Sequence, residues 1–222
     1  MGTIKKTGSI KTKIDAEDFV RGCVFMGTGG GGPQETGLRY LLEDLEDNME
    51  PTWVDPKSIP DDAWTCVAYF MGSIAPFVPE TKMKMEAKGL TEVTVDRELV
   101  KAVKELQKYL GIEFAAVCPM ELGGINTPAP LDAATRLGIA MVDGDYSGRA
   151  LPEIVQVAPA YNGFHVEPVA SCDRWGNTII IKDVVNNTML ETFGKGVTVL
   201  AYVICGQCGL AMKGKDMKKF IN

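Results

Sequence analysis

The sequence predicts an α/β protein whose central sheet is mostly parallel and is flanked by helices. Short apolar, β-prone runs alternate with helical patterns along the first two thirds of the 222 residues, which is the order produced by parallel βαβ units. In the last third, two β-prone runs flank the turn sequence Asp173-Arg-Trp-Gly-Asn177, which predicts an antiparallel hairpin. We therefore expect a Rossmann-like sheet with one hairpin in its C-terminal third.

The first residues predict an arm, a strand, a glycine loop and a helix. Residues 1–18 are mostly polar and are assigned to an N-terminal arm, and residues 19–222 to a single α/β domain. The apolar run at 23–26 predicts a short buried strand that enters the loop Gly27-Thr-Gly-Gly-Gly-Gly-Pro33. Four leucines at helical spacing follow this loop, and they predict an amphipathic helix: Leu38, Leu41, Leu42 and Leu45.

The middle of the chain predicts the alternation on which the parallel sheet depends. Residues 64–71 are apolar and β-prone, and the irregular stretch 74–95 is expected to form a mobile excursion. Asp96 is expected to cap a helix that ends at Gly111, because aspartate favours the N-cap and glycine the residue after a helix. Further elements are predicted at 114–118 (strand), 130–137 (helix) and 139–142 (strand).

The end of the chain predicts a hairpin and then an apolar helix. Residues 166–171 and 178–184 flank the turn at 173–177. Apolar side chains then recur at helical spacing from Met189 to Ile204. A helix this apolar needs a cover on all its faces, so we expect a homo-oligomer.

Composition excludes several classes of partner. The chain carries 23 Lys and Arg against 29 Asp and Glu, a formal charge of -6, without a dense basic block. These values argue against nucleic acid and anionic membranes as partners. No apolar run approaches the roughly 20 residues that span a bilayer, and the polar N-terminus does not resemble a signal peptide. We expect a cytoplasmic protein.

Cysteine and histidine usage gives little support to a soft metal site. Most of the six cysteines lie in apolar runs, where a reducing cytosol leaves them as buried hydrophobes. Cys205 and Cys208 have spacing suited to redox or metal chemistry, but zinc would need a second pair and His165 is the one histidine. A divalent cation on carboxylates is possible, and the sequence requires no cofactor.

The glycine loop is the first candidate for ligand binding. Consecutive glycines allow positive φ angles and bring backbone N–H groups close to a ligand, and the following helix N-terminus favours an anion. A tight structural turn is the alternative. The substrate-binding candidates in this loop are Thr28, Gly29, Gly30, Gly31 and Gly32.

Two further candidate loops follow predicted strands, where open α/β sheets bind ligands. In the first, Glu121 can accept a proton, Asn126 can donate a hydrogen bond, and Gly123 and Gly124 allow close backbone approach. The second holds three carboxylates and one guanidinium, which can bind a hard cation, keep one carboxylate protonated or clamp an anionic substrate. Its candidates are Asp143, Asp145, Arg149 and Glu153.

These motifs, taken in order, resemble the N-terminal domain of the S-methyl-thiohydantoin desulfurase family. The resemblance runs from about Val20 to Phe220 and rests on the glycine loop, the segment 121–126, the segment 142–153 and the turn at 173–177. It implies an α/β domain and hydrolysis of a five-membered, hydantoin-like ring, in which water attacks the activated carbon and a thiol leaves. Members usually continue into a C-terminal domain, whereas this chain stops at Asn222, where that domain is expected to begin. Their glycine loop usually leads into an acidic or amide residue before proline, whereas here Gly32 is followed directly by Pro33.

Two functional hypotheses follow. In the first, the chain is part of a hydrolase for a small cyclic amide: Glu121 or Asp143 activates water with Asp145 nearby, Arg149 orients an anionic substituent, and the glycine-loop amides stabilise the oxyanion. In the second, it is a non-catalytic ligand-binding or assembly subunit that needs a separately encoded partner.

Overall fold

The computed structural model describes residues 4–73, 78–202 and 204–222. Its strands are β1 (Lys6–Ser9), β2 (Thr52–Val54), β3 (Trp64–Met71), β4 (Phe114–Pro119), β5 (Ala140–Val142), β6 (Val169–Cys172), β7 (Thr178–Ile181) and β8 (Cys205–Lys213). The helices are α1 (Lys13–Met26), α2 (Gln34–Glu46), α3 (Pro79–Glu86), α4 (Glu98–Leu110), α5 (Pro128–Leu137), α6 (Ala158–Tyr161), α7 (Asn187–Ala201) and α8 (Gly214–Met217). Short 3₁₀ turns lie at Pro56–Ser58 and Ile154–Gln156.

In the described part of the chain, the strands form one mixed sheet in the order β1-β2-β5-β4-β3-β8-β6-β7. Three pairings are parallel: β2–β5, β5–β4 and β4–β3. The other four are antiparallel: β1–β2, β3–β8, β8–β6 and β6–β7. The α/β class and the hairpin β6–β7 are confirmed. The mostly parallel, Rossmann-like sheet is not confirmed, because fewer than half of the pairings, three of seven, are parallel.

The difference between the predicted and the observed sheet comes mainly from β8, a strand that the sequence patterns do not predict. This strand is rich in glycine, a residue that weakens β-propensity. A Cβ at Gly206 would lie 2.7 Å from the backbone carbonyl carbon of Glu98, and one at Gly209 would lie 2.6 Å from the Val169 side chain. These glycines let α4 and β6 pack closely on the strand, so their role depends on distant segments.

The first third corrects the predicted order of strand, glycine loop and helix. Thr12 and Asp15 form a capping box that starts α1, with each side chain accepting a hydrogen bond from the other's backbone N–H. The helix then runs to Met26, so the strand predicted at 23–26 is wrong. Phe25 is 80% exposed, which shows that an apolar run need not be buried. Residues 6–9 of the predicted arm form β1, which pairs with β2.

Most other local predictions are confirmed within a few residues. The leucine stripe forms α2, and the apolar runs at 64–71 and 114–118 form β3 and β4. Gly111 ends α4 in the left-handed conformation, with φ of +66°. Asp96 does not cap α4, because Arg97 holds the N-cap position without a side-chain cap. Four residues of the predicted excursion, 74–77, lie outside the described residues, and its next part forms α3.

The core has two layers because side chains of β3 alternate between the two faces of the sheet. Cys66, Ala68 and Phe70 pack against α1, α2, α4 and α5. Val67, Tyr69 and Met71 pack on the opposite face, with Leu190 of α7. Among the described residues, no helix is long and apolar enough to span a membrane.

Candidate active site

The glycine loop and the loop after β4 lock together through their backbones. The carbonyl of Gly31 accepts hydrogen bonds from the N–H groups of Ile125 (2.8 Å) and Asn126 (3.0 Å). A Cβ on Gly31 would lie 2.4 Å from the Cα of Gly123, a distance that no side chain tolerates. Gly31 is therefore required for contact between the two loops, and close approach to a ligand is not needed to explain this glycine.

Asn126 connects this pair of loops to the end of β3. Its Oδ1 accepts a hydrogen bond from the Phe70 N–H (2.7 Å), and its Nδ2 donates to the Phe70 carbonyl (3.1 Å) and to Glu121 Oε1 (2.7 Å). The side chain thus completes the main-chain bonding of Phe70 and fixes the Glu121 carboxylate at the same time. Thr127 shapes the same loop by donating to the Glu121 carbonyl.

Glu121 is a buried carboxylate with two opposing influences on its proton affinity. It is 5% exposed, and burial raises the pKa of this carboxyl, with a smaller contribution from the charge of Asp145. Hydrogen bonds from Asn126 and from the Leu151 N–H act against this shift. The net effect is a raised pKa, which brings the group closer to the range where it can exchange a proton at neutral pH.

A cavity of about 280 Å³ opens beside Glu121. Among the residues predicted from sequence, those that line it are Gly31, Gly32, Glu121, Asn126 and Glu153. The volume is near the lower end of the range for small-molecule sites. The cavity therefore suits a small ring better than an extended ligand.

Part of the cavity wall is formed by residues that the sequence analysis does not single out. Glu191 on α7 is buried, and its Oε1 lies 2.9 Å from Lys195 Nζ while its Oε2 accepts a hydrogen bond from the Ile154 N–H (2.8 Å). Tyr69 also lines the cavity, and its hydroxyl has no hydrogen-bond partner among the described residues. The spacing of Glu191 and Lys195, four residues apart on a predicted helix, was the one available signal.

In the segment 143–153, residues 145–148 form a closed turn and residues 151–153 line the cavity. Asp145 Oδ2 accepts hydrogen bonds from the N–H groups of Ser147 (3.0 Å) and Gly148 (2.7 Å) within its own loop. Asp143 is exposed, and the exposed Arg149 donates from Nε to the neighbouring Ala150 carbonyl (3.0 Å). The predicted site residues that do not line the cavity are Thr28, Gly29, Gly30, Gly123, Gly124, Asp143, Asp145 and Arg149.

Metal and redox motifs are not assembled in the residues that the structure describes. No group of three or more His, Cys, Asp and Glu side chains there is placed to hold a metal ion. Cys205 and Cys208 are both buried on β8, where residues three apart point to opposite faces. Accordingly, they belong to different apolar clusters, and burial raises the pKa of the Cys205 thiol to about 12.

Comparison with known proteins identifies the class. The N-terminal-domain profile of the S-Me-THD-like family matches residues 14–183, so the chain belongs to this family, and the resemblance seen in the sequence is confirmed. The fold is similar to the crystal structure of a protein from Chromobacterium violaceum, with a TM-score of 0.77 and 19% identity over 97% of this chain. The chain spans 57% of that protein's length. No curated protein gives a significant match.

Proposed function

We propose that the chain forms the substrate pocket of a hydrolase for a small five-membered cyclic amide, such as a hydantoin or S-methyl-thiohydantoin ring. The observation that carries this proposal is Glu121: a buried carboxylate with a raised pKa, held by two donors at a cavity of about 280 Å³. A carboxylate in such surroundings suits general acid–base catalysis. Membership of the family supports the choice of ring.

The reaction proposed for an S-methyl-thiohydantoin is a substitution by water at the ring carbon that bears sulfur. Glu121 accepts a proton from water as the oxygen forms its bond to this carbon. The tetrahedral intermediate then expels methanethiol by breaking the C–S bond, and the protonated Glu121 supplies the proton that the thiolate needs. The second proton of the water passes from the hydroxyl oxygen to the adjacent ring nitrogen, which took up the electron pair of the C=N bond when the oxygen added. The ring is left with a carbonyl in place of the thioether, and Glu121 returns to its ionised form.

Other groups at the cavity have supporting roles in this proposal. The backbone amides of Gly31 and Gly32 line the cavity and are assigned to the developing oxyanion. Lys195 lines it as well, whereas Arg149 does not, so we assign the orientation of an anionic substituent to Lys195. Asp145 acts at a distance, since its charge contributes to the raised pKa of Glu121.

A second candidate function is kept because two of the three predicted catalytic residues, Asp143 and Asp145, do not line the cavity. The alternative is a ligand-binding or assembly subunit that needs a separately encoded partner. The two candidates differ in what the purified chain does alone. Thiol release by this chain without a partner supports the hydrolase and contradicts a non-catalytic subunit.

The test measures methanethiol release from S-methyl-thiohydantoin and ring opening of hydantoin. We expect release with the wild-type chain, alone or with the protein encoded by the neighbouring gene, and its loss in Glu121→Gln. Glu113→Gln is the matched control, because it makes the same change at an exposed residue that does not line the cavity. Equal rates for wild type and Glu121→Gln would overturn the assignment.

Self-association through α7 is a further part of the proposal. Phe193, Val199 and Leu200 on this helix are 49%, 72% and 71% exposed, and large exposed apolar side chains close together in the chain favour an interface. We expect a homo-oligomer that buries them. Light scattering that returned about 24.0 kDa, the mass of one chain, would contradict this expectation.

A further inference from the structure

One segment of the cavity wall is held at both ends by buried carboxylates. The segment, residues 151–154, is called the strap below. Its first N–H, that of Leu151, donates to Glu121 Oε2, and its last, that of Ile154, donates to Glu191 Oε2 at 2.8 Å. All four residues of the strap line the cavity. The strap therefore joins the two carboxylates through the backbone.

Each of these carboxylates is itself anchored to a different part of the fold. Glu121 uses its second oxygen for Asn126, which is bound to Phe70 at the end of β3. Glu191 uses its second oxygen for Lys195, one turn further along α7. The strap is thus hydrogen-bonded at one end to Glu121, which is fixed to the end of β3 through Asn126, and at the other end to Glu191 of α7. Burying a carboxylate costs free energy unless it is paired. Two buried carboxylates that both accept hydrogen bonds from the strap therefore indicate that the position of this segment matters.

We propose that Glu191 is a positioning residue that acts on Glu121 through the strap. By holding the Ile154 N–H, Glu191 fixes the strap where the Leu151 N–H reaches the Glu121 carboxylate. A donor aimed at the ionised form lowers the proton affinity of a carboxylate. Glu191 therefore offsets part of the effect of burial on Glu121, without touching the reacting atoms. This inference rests on the proposed function only in taking Glu121 as the proton acceptor of the reaction.

Asp145, Lys195 and Glu153 are charged residues that act on these two glutamates or on their partners. Asp145 is the charged group that raises the pKa of Glu121. Lys195 pairs with Glu191, the charge of Glu153 reaches Lys195, and the Tyr69 hydroxyl is close enough for its pKa to rise with the charge of Glu191. A change at Glu191 that leaves Asp145 intact should therefore reach Glu121 mainly through the strap.

Backbone hydrogen exchange tests the strap directly. In the wild-type chain, we expect the amides of Leu151 and Ile154 to exchange slowly, because each has a buried acceptor. Glu191→Met removes the acceptor at similar size, and exchange at both positions should accelerate at least about tenfold. Glu191→Gln keeps an acceptor oxygen and should retain protection. Thr192→Ala, at an exposed neighbour on the same helix, is the control, and amides of β4 report whether the fold persists.

Titration of the Glu121 carboxyl carbon by NMR tests the coupling without any assay of activity. The signal is assigned by its loss in Glu121→Gln. In Glu191→Met, the pKa of Glu121 should rise, and in Glu191→Gln it should return towards the wild-type value. Unprotected Leu151 and Ile154 amides in the wild type, or an unchanged Glu121 titration in a folded Glu191→Met, would overturn the inference. If the chain hydrolyses no ring, the proposed function fails, and the exchange and titration results still decide the role of Glu191.

Discussion

Two acidic loops follow neighbouring strands of the sheet and use their carboxylates in opposite ways. The loop after β4 carries Glu121, whose hydrogen bonds come from Asn126 and from Leu151, thirty residues away. The loop after β5 carries Asp145, whose bonds come from Ser147 and Gly148 of its own turn. A carboxylate that accepts hydrogen bonds from its own loop closes that loop. A carboxylate that accepts them from several segments of the chain holds those segments together and fixes the wall of a cavity.

The largest expected effect separates Glu121 from Asp143. Glu121→Gln should lower the rate of ring hydrolysis by about 10²- to 10⁴-fold, which is the usual contribution of a general acid–base group. Asp143→Asn should change it less than about twofold, because the side chain is exposed and surface changes are usually small. Steady-state kinetics on both variants decides the matter. A large loss in Asp143→Asn would remove the distinction between the two loops.

The second effect concerns the contact between the glycine loop and the loop after β4. Gly31→Ala should lower the free energy of unfolding by about 3 kcal/mol or more, because the new Cβ meets Gly123 and φ is +71°. Gly29→Ala is a matched control at φ of +84° with open space around it, and it should cost about 1–2 kcal/mol. Urea denaturation measures both. Equal costs would show that the loops do not need this close approach.

The third effect compares Lys195, which lines the cavity, with Arg149, which does not. Lys195→Met should raise KM by about tenfold for a ring that bears a carboxylate, since one hydrogen bond to a charged group contributes about 1.5 kcal/mol. It should leave KM unchanged for the unsubstituted ring. Arg149→Met should change neither value, because its side chain is exposed outside the cavity. The reverse result would return the orienting role to Arg149.

The smallest effect is a change in the pH dependence of stability at Asp145. Burial raises the pKa of this carboxyl in the folded chain. A raised pKa favours the folded state below the unfolded value of about 3.9, and this stabilisation is lost as pH rises through the folded pKa. Asp145→Asn removes this dependence and keeps an oxygen for the turn. Its stability relative to wild type should therefore increase between about pH 4 and neutrality, as measured by urea denaturation at several pH values.

The candidate site could be predicted in part. Glu121 and Asn126 were identified because a polar loop directly follows an apolar run, and both line the cavity. The sequence does not single out Glu191 and Lys195, because the pattern of α7 indicates an apolar helix that needs a cover. Glu191 is buried and accepts a hydrogen bond from the Ile154 N–H, 37 residues away along the chain, so no local pattern shows its role.

Local patterns by themselves determined the α/β class and most helices and strands, and the family rests on a resemblance of four spaced motifs that the family match confirms. The leucine stripe of α2, the apolar run of β3 and the glycine after α4 each act within a few residues, where side-chain periodicity and backbone conformation are decided. Only the tertiary structure decided that β8 enters the sheet beside β3 and that the glycine loop packs on Gly123. Those contacts join segments up to 149 residues apart along the chain, the separation of Trp64 and Lys213. No short window of sequence carries the complementary shape and hydrogen bonds that select them.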